Sequence, residues 1–285
     1  MRKKTIIFLL FCILIVVLVG TKIVSHRIKN KTERVVAKVN DESKDTNDKK
    51  AEMPLNFGNE LSEKEVLILF YHSVEDGKND GSMPPKKLDK QFLYLKKHGY
   101  NTLTMEEYYN YVKSNKPLPK KSVMLTFDDG YSNNYTNLFP LLKKYNFTAT
   151  IYVATSHVDK NPAYLNSEQI KEMSDYGILI GSHTVTHPHL SKLSKEEQRN
   201  EMLESKDMLE KITGKPVEHF CYPYGDYNQD SIDSLRELGF KTAVTTVQGW
   251  TSPNLDNFFE LRRSVVPQSF TDGDFQWRLN NKFRF

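Results

Sequence analysis

The chain has 285 residues, of which 38% are hydrophobic and 27% charged, a composition that excludes collagen-like, low-complexity and wholly disordered proteins. Residues 1–60 carry a net charge of +5 and residues 61–285 carry −1, so the larger part gives no support for nucleic-acid binding. Two cysteines, Cys12 and Cys221, are too few for a disulfide scaffold. The folded part must therefore be held by its core.

The N-terminus predicts entry into a membrane. A basic tetrapeptide precedes residues 5–20, which carry no charge, and the apolar stretch extends to Val24, close to the length that a bilayer requires. Because no Ala-x-Ala site follows, a retained signal anchor over residues 1–24 is favoured over a cleaved signal peptide, which would give a secreted protein. We expect a single-pass protein of the cell membrane with its C-terminal bulk outside the cytoplasm.

The remainder divides into a spacer and one folded domain. Residues 25–60 are rich in charge and poor in apolar residues, which predicts a flexible linker. Residues 61–285 are long enough to bury one large core without help. A single domain behind an N-terminal membrane segment is therefore expected.

From residue 66 onward, short apolar runs alternate with amphipathic stretches, which predicts strands alternating with helices. In chain order these are strand 66–72, helix 86–98, strand 122–127, helix 133–145, strand 149–154, helix 167–176, strand 178–182, a helix from Ser194 to Gly214, strand 219–222, helix 230–238, strand 242–246 and strand 261–266. About seven such units favour an α/β fold of the (β/α) barrel type over an open doubly wound sheet. Functional residues are then expected at the carboxyl ends of the strands. No glycine-rich nucleotide-binding motif occurs.

The first motif, TFDDG at 126–130, follows a predicted strand. Asp128 and Asp129 are adjacent carboxylates that repel each other, and a bound metal ion would compensate their charge. Asp-Asp-Gly also forms a good turn, so this motif alone leaves both interpretations open.

The second motif, SHTVTH at 182–187, follows another predicted strand. Histidines at positions i and i+4 face the same way in a helical turn, so His183 and His187 can bind one ion. With Asp129 they form a His-His-Asp set that leaves positions for water and substrate, as hydrolytic metal sites do. His189 is expected to be a surface residue.

The third motif, CYPYG at 221–225, also follows a predicted strand. Pro223 and Gly225 predict a turn that can aim backbone N–H groups at an oxygen atom. Tyr222 and Tyr224 offer aromatic faces for a sugar ring. An ordinary loop is the alternative.

In this order and at these separations, the three motifs resemble those of the polysaccharide deacetylases, the NodB-homology or carbohydrate esterase family 4 proteins. The resemblance covers residues 61–280 and implies a distorted (β/α) barrel that binds one divalent ion and removes acetyl groups from sugars. Zinc is favoured over cobalt, nickel, manganese and iron, although the donor set accepts all of them. The resemblance also implies individual roles: Asp128 as general base, Asp129, His183 and His187 as metal ligands, and the Tyr224 N–H as a donor to the oxyanion.

Two departures from the family pattern move functional groups elsewhere. No arginine begins the third motif, where Cys221 stands, and no histidine occurs after position 219 to serve as the usual general acid. His72, at the end of the first predicted strand, is the candidate acid, with a buried structural histidine as the alternative. Arg263 is the candidate brace for the catalytic aspartate, and Arg262 is its rival. This layout resembles the circularly permuted poly-N-acetylglucosamine deacetylases of the IcaB and PgaB type.

The expected reaction is metal-assisted N-deacetylation of an extracellular N-acetylglucosamine polysaccharide. Poly-β-1,6-N-acetylglucosamine is favoured as substrate, peptidoglycan follows, and an acetylxylan-type ester comes third. A wall-binding module without catalysis is another alternative, whereas a glycosidase would need two carboxylates about 5–10 Å apart across the glycosidic bond. The expected partners are the polysaccharide and the membrane, with no nucleic acid or nucleotide, and the chain is expected to be a monomer. Trp250 can line the sugar groove or belong to the core.

Overall fold

The structure is a computed structural model that describes residues 64–77, 81–253 and 256–284. The anchor predicted over residues 1–24 and the spacer predicted over 25–60 lie outside the described residues, so both stay predictions. Among the helices of the described ranges, none has the length and apolar character needed to cross a bilayer.

Within the described residues, eight strands form one sheet in which every strand pairing is parallel. The strands are β1 (Leu67–Tyr71), β2 (Asn101–Leu103), β3 (Ser122–Phe127), β4 (Thr150–Val153), β5 (Leu179–Ser182), β6 (His219–Cys221), β7 (Thr242–Gln248) and β8 (Leu261–Val265). The order β1-β8-β7-β6-β5-β4-β3 closes because β1 also pairs with β3, while β2 pairs with the first half of β3. This seven-stranded closure confirms the predicted (β/α) barrel.

Helices on the outside of the barrel connect most of the strands. They are α1 (Pro85–Lys97), α2 (Met105–Lys113), α3 (Phe139–Tyr145), α4 (Ser167–Tyr176), α5 (Lys195–Thr213), α6 (Gln229–Glu237) and α7 (Asp272–Asn280). The helix predicted from Ser194 to Gly214 is confirmed as α5, with a capping box at Ser194 and a left-handed Gly214 at its end. Such caps satisfy the backbone groups that a helix end leaves without partners.

Successive residues of a barrel strand enter two different apolar layers. In β1, Leu67 and Leu69 join the outer core beneath the helices, and Ile68 joins a smaller cluster with residues of the other strands. Because both faces are covered, these strands read in the sequence as continuous apolar runs. Polar groups are nevertheless buried near the carboxyl ends, where Asp128 follows β3 and pairs with Arg263 of β8.

The barrel is distorted in its second half. Strands β5 and β6 are joined by the single residue pair Ser182 and Phe220. The pairing of β7 with β8 shifts register between Val244 and Gln248. The second and third motifs follow β5 and β6, so the loops that carry them leave the barrel where its strands are least tightly joined.

Candidate active site

Asp128 is a buried carboxylate held by a guanidinium group. It directly follows β3 and is 3% exposed. Arg263 Nη1 donates to Asp128 Oδ1 at 2.8 Å, and Arg263 Nη2 donates to Oδ2 at 2.7 Å. Burial raises the pKa of Asp128, but the Arg263 charge and its hydrogen bonds outweigh burial, so the pKa lies well below its usual value. Asp128 is therefore ionised at neutral pH.

The guanidinium comes from Arg263 and not from Arg262. Side chains alternate between the two faces of a strand, so these neighbours in β8 point in opposite directions. Arg263 is fully buried inside the barrel, 4.3 Å above the ring of Phe70. Arg262 pairs instead with Asp256, at 3.4 Å from Nε to Oδ1. The structure thus places Arg263 on the carboxylate that the resemblance implied it braces.

Cys221 occupies the position at which the family pattern has an arginine. Its Sγ lies 3.5 Å from Asp128 Oδ2 and 3.2 Å from Arg263 Nη2. Burial raises the pKa of this thiol, so the thiol keeps its proton and donates a weak hydrogen bond to the carboxylate. Sequence reasoning missed this contact, although the arginine missing from the third motif marked the position.

Asp129, His183 and His187 form a triad of side chains that brings three potential metal-ligand atoms together at the mouth of the barrel. Nε2 of each histidine lies 3.4 Å from Asp129 Oδ1, and the two Nε2 atoms are 3.1 Å apart. The His183 side chain is 3% exposed and that of His187 27%, so the cluster opens to solvent on the His187 side. Two imidazole nitrogens and one carboxylate oxygen form a donor set that accepts zinc and other divalent first-row ions.

The orientation of the His183 ring supports a metal site. Its Nδ1 lies 2.7 Å from the carbonyl oxygen of Cys221. A carbonyl oxygen can only accept, so Nδ1 carries a hydrogen and Nε2 is the nitrogen that faces the cluster. Metal-binding histidines are commonly fixed in this way. The residues present therefore fit a divalent ion.

The two histidines do not meet on a helical turn, so the reasoning from i, i+4 helical geometry was wrong although the pairing was right. The backbone from His183 to His187 contains two left-handed residues, Thr184 with φ of 66° and His187 itself with φ of 59°. Asp129 has a φ of 74°. Such conformations cost about 1–3 kcal/mol each in non-glycine residues, so neighbouring contacts must maintain them.

His72 follows β1 and lies beside both carboxylates. Tyr71 pairs in register with Phe127, and the N–H of Asp128 donates to the Tyr71 carbonyl at 3.0 Å. The residues that follow β1 and β3 are therefore neighbours at the same end of the barrel. Burial raises the pKa of Asp128 and of Asp129, and a proton on the nearby His72 ring would lower both. His72 is partly buried rather than fully enclosed.

The third motif presents one tyrosine to solvent and buries the other. Tyr224 has a φ of 59° and is 58% exposed; its ring stacks on His189 at 4.1 Å and meets His187 edge-on at 4.6 Å. His189 therefore supports Tyr224 and is not part of the triad. Tyr222 is buried and stacks on Tyr227, so the expectation that it offers a face to a sugar is wrong.

Of two further aromatic residues, one lies away from the candidate active site and the other lies beside it. Trp250 lines a pocket with Ser122, at the start of β3 and so at the end of the barrel opposite the mouth. Trp250 thus does not line the candidate active site. Tyr131 stacks on Tyr164 at 5.1 Å, and burial together with the nearby Asp129 raises its pKa. Tyr131, to which the sequence assigned no role, is therefore part of the surroundings of the triad.

A parallel (β/α) barrel with a His-His-Asp cluster and an ionised buried carboxylate at its strand ends is an arrangement typical of hydrolases that use a divalent ion. A family model described as polysaccharide deacetylase matches residues 115–243. The Bacillus subtilis protein YxkH, which bears a polysaccharide deacetylase name, is 34% identical over 200 residues, covering 70% of this chain and 71% of that relative. The chain belongs to the polysaccharide deacetylase family, whose members are hydrolases that deacetylate polysaccharides.

Two further similarities support this assignment. Poly-beta-1,6-N-acetyl-D-glucosamine N-deacetylase of Staphylococcus aureus is 28% identical over 217 residues, covering 72% of this chain and 74% of that protein. The solved structure of Streptococcus pyogenes deacetylase PplD in complex with acetate matches with a TM-score of 0.72 and 30% identity. That match covers 76% of this chain and 99% of the PplD chain. Fold and sequence are thus shared over most of the barrel.

Proposed function

We propose that this chain removes N-acetyl groups from an extracellular N-acetylglucosamine polysaccharide, with poly-β-1,6-N-acetyl-D-glucosamine as its substrate. The observation that carries the proposal is the convergence of Asp129, His183 and His187 next to the ionised carboxylate of Asp128. The Staphylococcus aureus relatives are named for this substrate. The position of His72, ahead of the Asp-Asp pair in the chain, supports the same substrate class.

The proposed cofactor is one divalent ion, zinc before other first-row metals, held by Asp129, His183 and His187. When bound, the ion supplies a Lewis acid that polarises the acetamide carbonyl and makes the proton of an attacking water labile. His183 is prepared for this role because the Cys221 carbonyl fixes its Nδ1–H.

Asp128 acts as the general base in this mechanism. Arg263 keeps Asp128 ionised, so its carboxylate is able to accept a proton at neutral pH. Because the pKa of Asp128 is low, Asp128 is a weak base and can take only a proton that is already labile. The backbone N–H of Tyr224 would donate to the acetamide oxygen as negative charge develops on it.

His72 acts as the general acid. An amine leaves poorly without a proton, so the nitrogen must be protonated as the carbon–nitrogen bond breaks. His72 gives its proton to that nitrogen, and the products are acetate and a free amino group on the sugar. Its position beside Asp128, at the ends of the neighbouring strands β1 and β3, supports this role.

We also propose that the domain acts outside the cytoplasm. The apolar segment at 5–20, with basic residues before it, supports a membrane anchor over 1–24, and the charged residues 25–60 support a spacer. A tethered monomer of this kind would meet its polymer at the cell surface.

The test is acetate release by the full-length chain in detergent, stripped of metal and then reloaded with zinc. β-1,6-linked and β-1,4-linked N-acetylglucosamine oligomers, peptidoglycan and acetylxylan are compared side by side, with the Asp128→Asn variant as control. Zinc-dependent release from the β-1,6-linked oligomers alone is the expected result. Acetate release from peptidoglycan only would mean that peptidoglycan is the substrate instead. Zinc binding without acetate release from any polymer would favour a wall-binding module.

A further inference from the structure

Glu201, on helix α5, is hydrogen-bonded to the loop that joins the two histidine ligands. Its Oε2 accepts from the backbone N–H of Val185 at 2.8 Å and of Thr186 at 2.9 Å, and its Oε1 accepts from Thr186 Oγ1 at 2.7 Å. Two successive backbone N–H groups that converge on one anion form a nest, and here a side chain of the same protein fills it. Hydrogen bonds to an ionised acceptor are the stronger ones. Glu201 therefore fixes the middle of the loop.

The loop that Glu201 holds is strained. Thr184 is β-branched and fully buried, and it adopts a positive φ, as does His187. The Thr184 hydroxyl accepts from the His187 N–H at 3.0 Å, which folds the loop back on itself. This fold brings Nε2 of His187 to 3.1 Å from Nε2 of His183. A released loop would relax toward ordinary backbone angles and separate the two rings.

Helix α5 holds the loop at a second point. Ser205, one helical turn after Glu201, is hydrogen-bonded through its hydroxyl to that of Ser182, the residue before His183. Residues four apart lie on the same face of a helix, so one face of α5 contacts the chain on both sides of His183. The helix thus serves as a template for the histidine loop.

We propose that Glu201 is a positioning residue of the metal site. It sets the separation of the two imidazoles, and through that separation the affinity for the ion, without contacting the ion or the substrate. The inference rests on the proposed function only in assuming that the triad binds a divalent ion. Glu201 would support the histidine pair in addition to the Cys221 carbonyl, which orients the His183 ring.

The experiment compares the zinc affinity of the full-length wild type, Glu201→Gln and Glu204→Gln, measured by competition with a chromophoric chelator. Glu204 is exposed on the same helix and carries the same charge, so it controls for a general change in charge. A glutamine at 201 has the same shape but no charge, so its one amide oxygen accepts weaker hydrogen bonds from the two backbone N–H groups, and its N–H₂ group can only donate to the Thr186 hydroxyl. We expect zinc binding to weaken by about 10- to 100-fold in Glu201→Gln and to stay within about twofold in the control.

Cobalt in place of zinc gives a readout that a general loss of stability would not move. The visible absorption of the cobalt-loaded protein reports the arrangement of its ligands, and it should change in Glu201→Gln and not in Glu204→Gln. A zinc affinity equal to that of the wild type, or an unchanged cobalt spectrum, would overturn the proposal.

A milder variant decides the question if Glu201→Gln fails to fold. Thr186→Val removes only the hydroxyl bond from an exposed side chain, and zinc binding should weaken about threefold, the effect of one ordinary hydrogen bond. Unchanged affinity in this variant would then count against the role of Glu201. If the wild type itself bound no zinc, the metal site and the proposed function would fail together, which is a different result from a failure confined to Glu201.

Discussion

Replacing Arg263 with methionine would remove the charge that balances the buried carboxylate of Asp128. Methionine has an unbranched apolar side chain that can fill much of the space, but it donates no hydrogen bond. The substitution eliminates the bonds of 2.8 Å and 2.7 Å to the carboxylate and leaves the weak Cys221 thiol donor beside it. Removing one member of a buried ion pair costs about 3–5 kcal/mol, because the other charge stays buried.

The size and the pH dependence of the loss both follow from this geometry. For a domain of this length, 1 kcal/mol lowers the unfolding temperature by roughly 2–4 °C, so a drop of about 6–20 °C is expected at neutral pH. Without the guanidinium, burial dominates and the pKa of Asp128 rises above that of the unfolded chain. A raised pKa destabilises the folded state as pH increases. The difference in unfolding temperature between wild type and variant should therefore become smaller as pH falls.

The assay is thermal unfolding of the metal-free full-length protein, followed by circular dichroism at about pH 7 and about pH 4. Arg262→Met is the matched control, because it changes the neighbouring strand residue and its partner Asp256 keeps Arg284 at 2.6 Å. An equal drop in unfolding temperature in the two variants would refute the reasoning. So would a drop in Arg263→Met that is the same size at both pH values.

Three further outcomes are expected. Asp128→Asn should leave zinc affinity nearly unchanged while acetate release falls by about 10²–10⁴-fold, since Asp128 lies outside the triad; a loss of zinc binding would contradict its role as base. Burial lowers the pKa of His183, but the neighbouring carboxylates of Asp129 and Asp128 raise it well above its usual value, so zinc binding should release a proton and weaken as pH falls. Calorimetry in buffers of different ionisation enthalpy measures that proton, and no dependence on buffer would contradict this. The hydrogen bond from His219 lowers the pKa of Glu106 to about 2 from a usual 4.5. Ionised Glu106 therefore stabilises the folded state fully above pH 4.5 and loses this effect as pH falls toward about 2. Glu106→Gln should remove this contribution to the pH dependence of the free energy of unfolding, measured in urea. An unchanged pH dependence would mean that other groups cause it.

Much of the barrel was predictable because its long elements have strong local patterns. The strand 122–127 and the helix 167–176 were predicted at the limits that the structure gives them. Strand β2 was missed because it has three residues, of which only Leu103 is buried, so it leaves no apolar run. Helix α7 was missed because only Phe275 and Leu279 mark its buried face, while the third large apolar residue, Trp277, is exposed. Closure of β1 against both β3 and β8 is a long-range pairing that no local pattern carries.

The site was predictable in its residue types and less so in its geometry. The motifs marked Asp128, Asp129, His183 and His187, and the structure brings all four to one mouth. Their backbone conformation was not foreseen, since left-handed angles at non-glycine residues depend on contacts made elsewhere in the fold. The choice of Arg263 over Arg262 likewise required the strand register, because a one-residue change reverses the direction of a side chain.

The pairing of the first barrel strand with the last has a consequence for the order of folding. Leu69 of β1 pairs with Ser264 of β8, so the contact that closes the barrel joins the two ends of the described chain. Pairings between residues so distant in sequence are slow to form, because the loop entropy is lost before the contact is gained. A chain still in synthesis, with β1 and β3 made and β8 not, has its Asp-Asp pair but lacks Arg263. The ion pair that holds Asp128 is therefore completed only after β8 has been made, so a chain trimmed ahead of β8 would lack the Arg263 charge even with Asp129, His183 and His187 present.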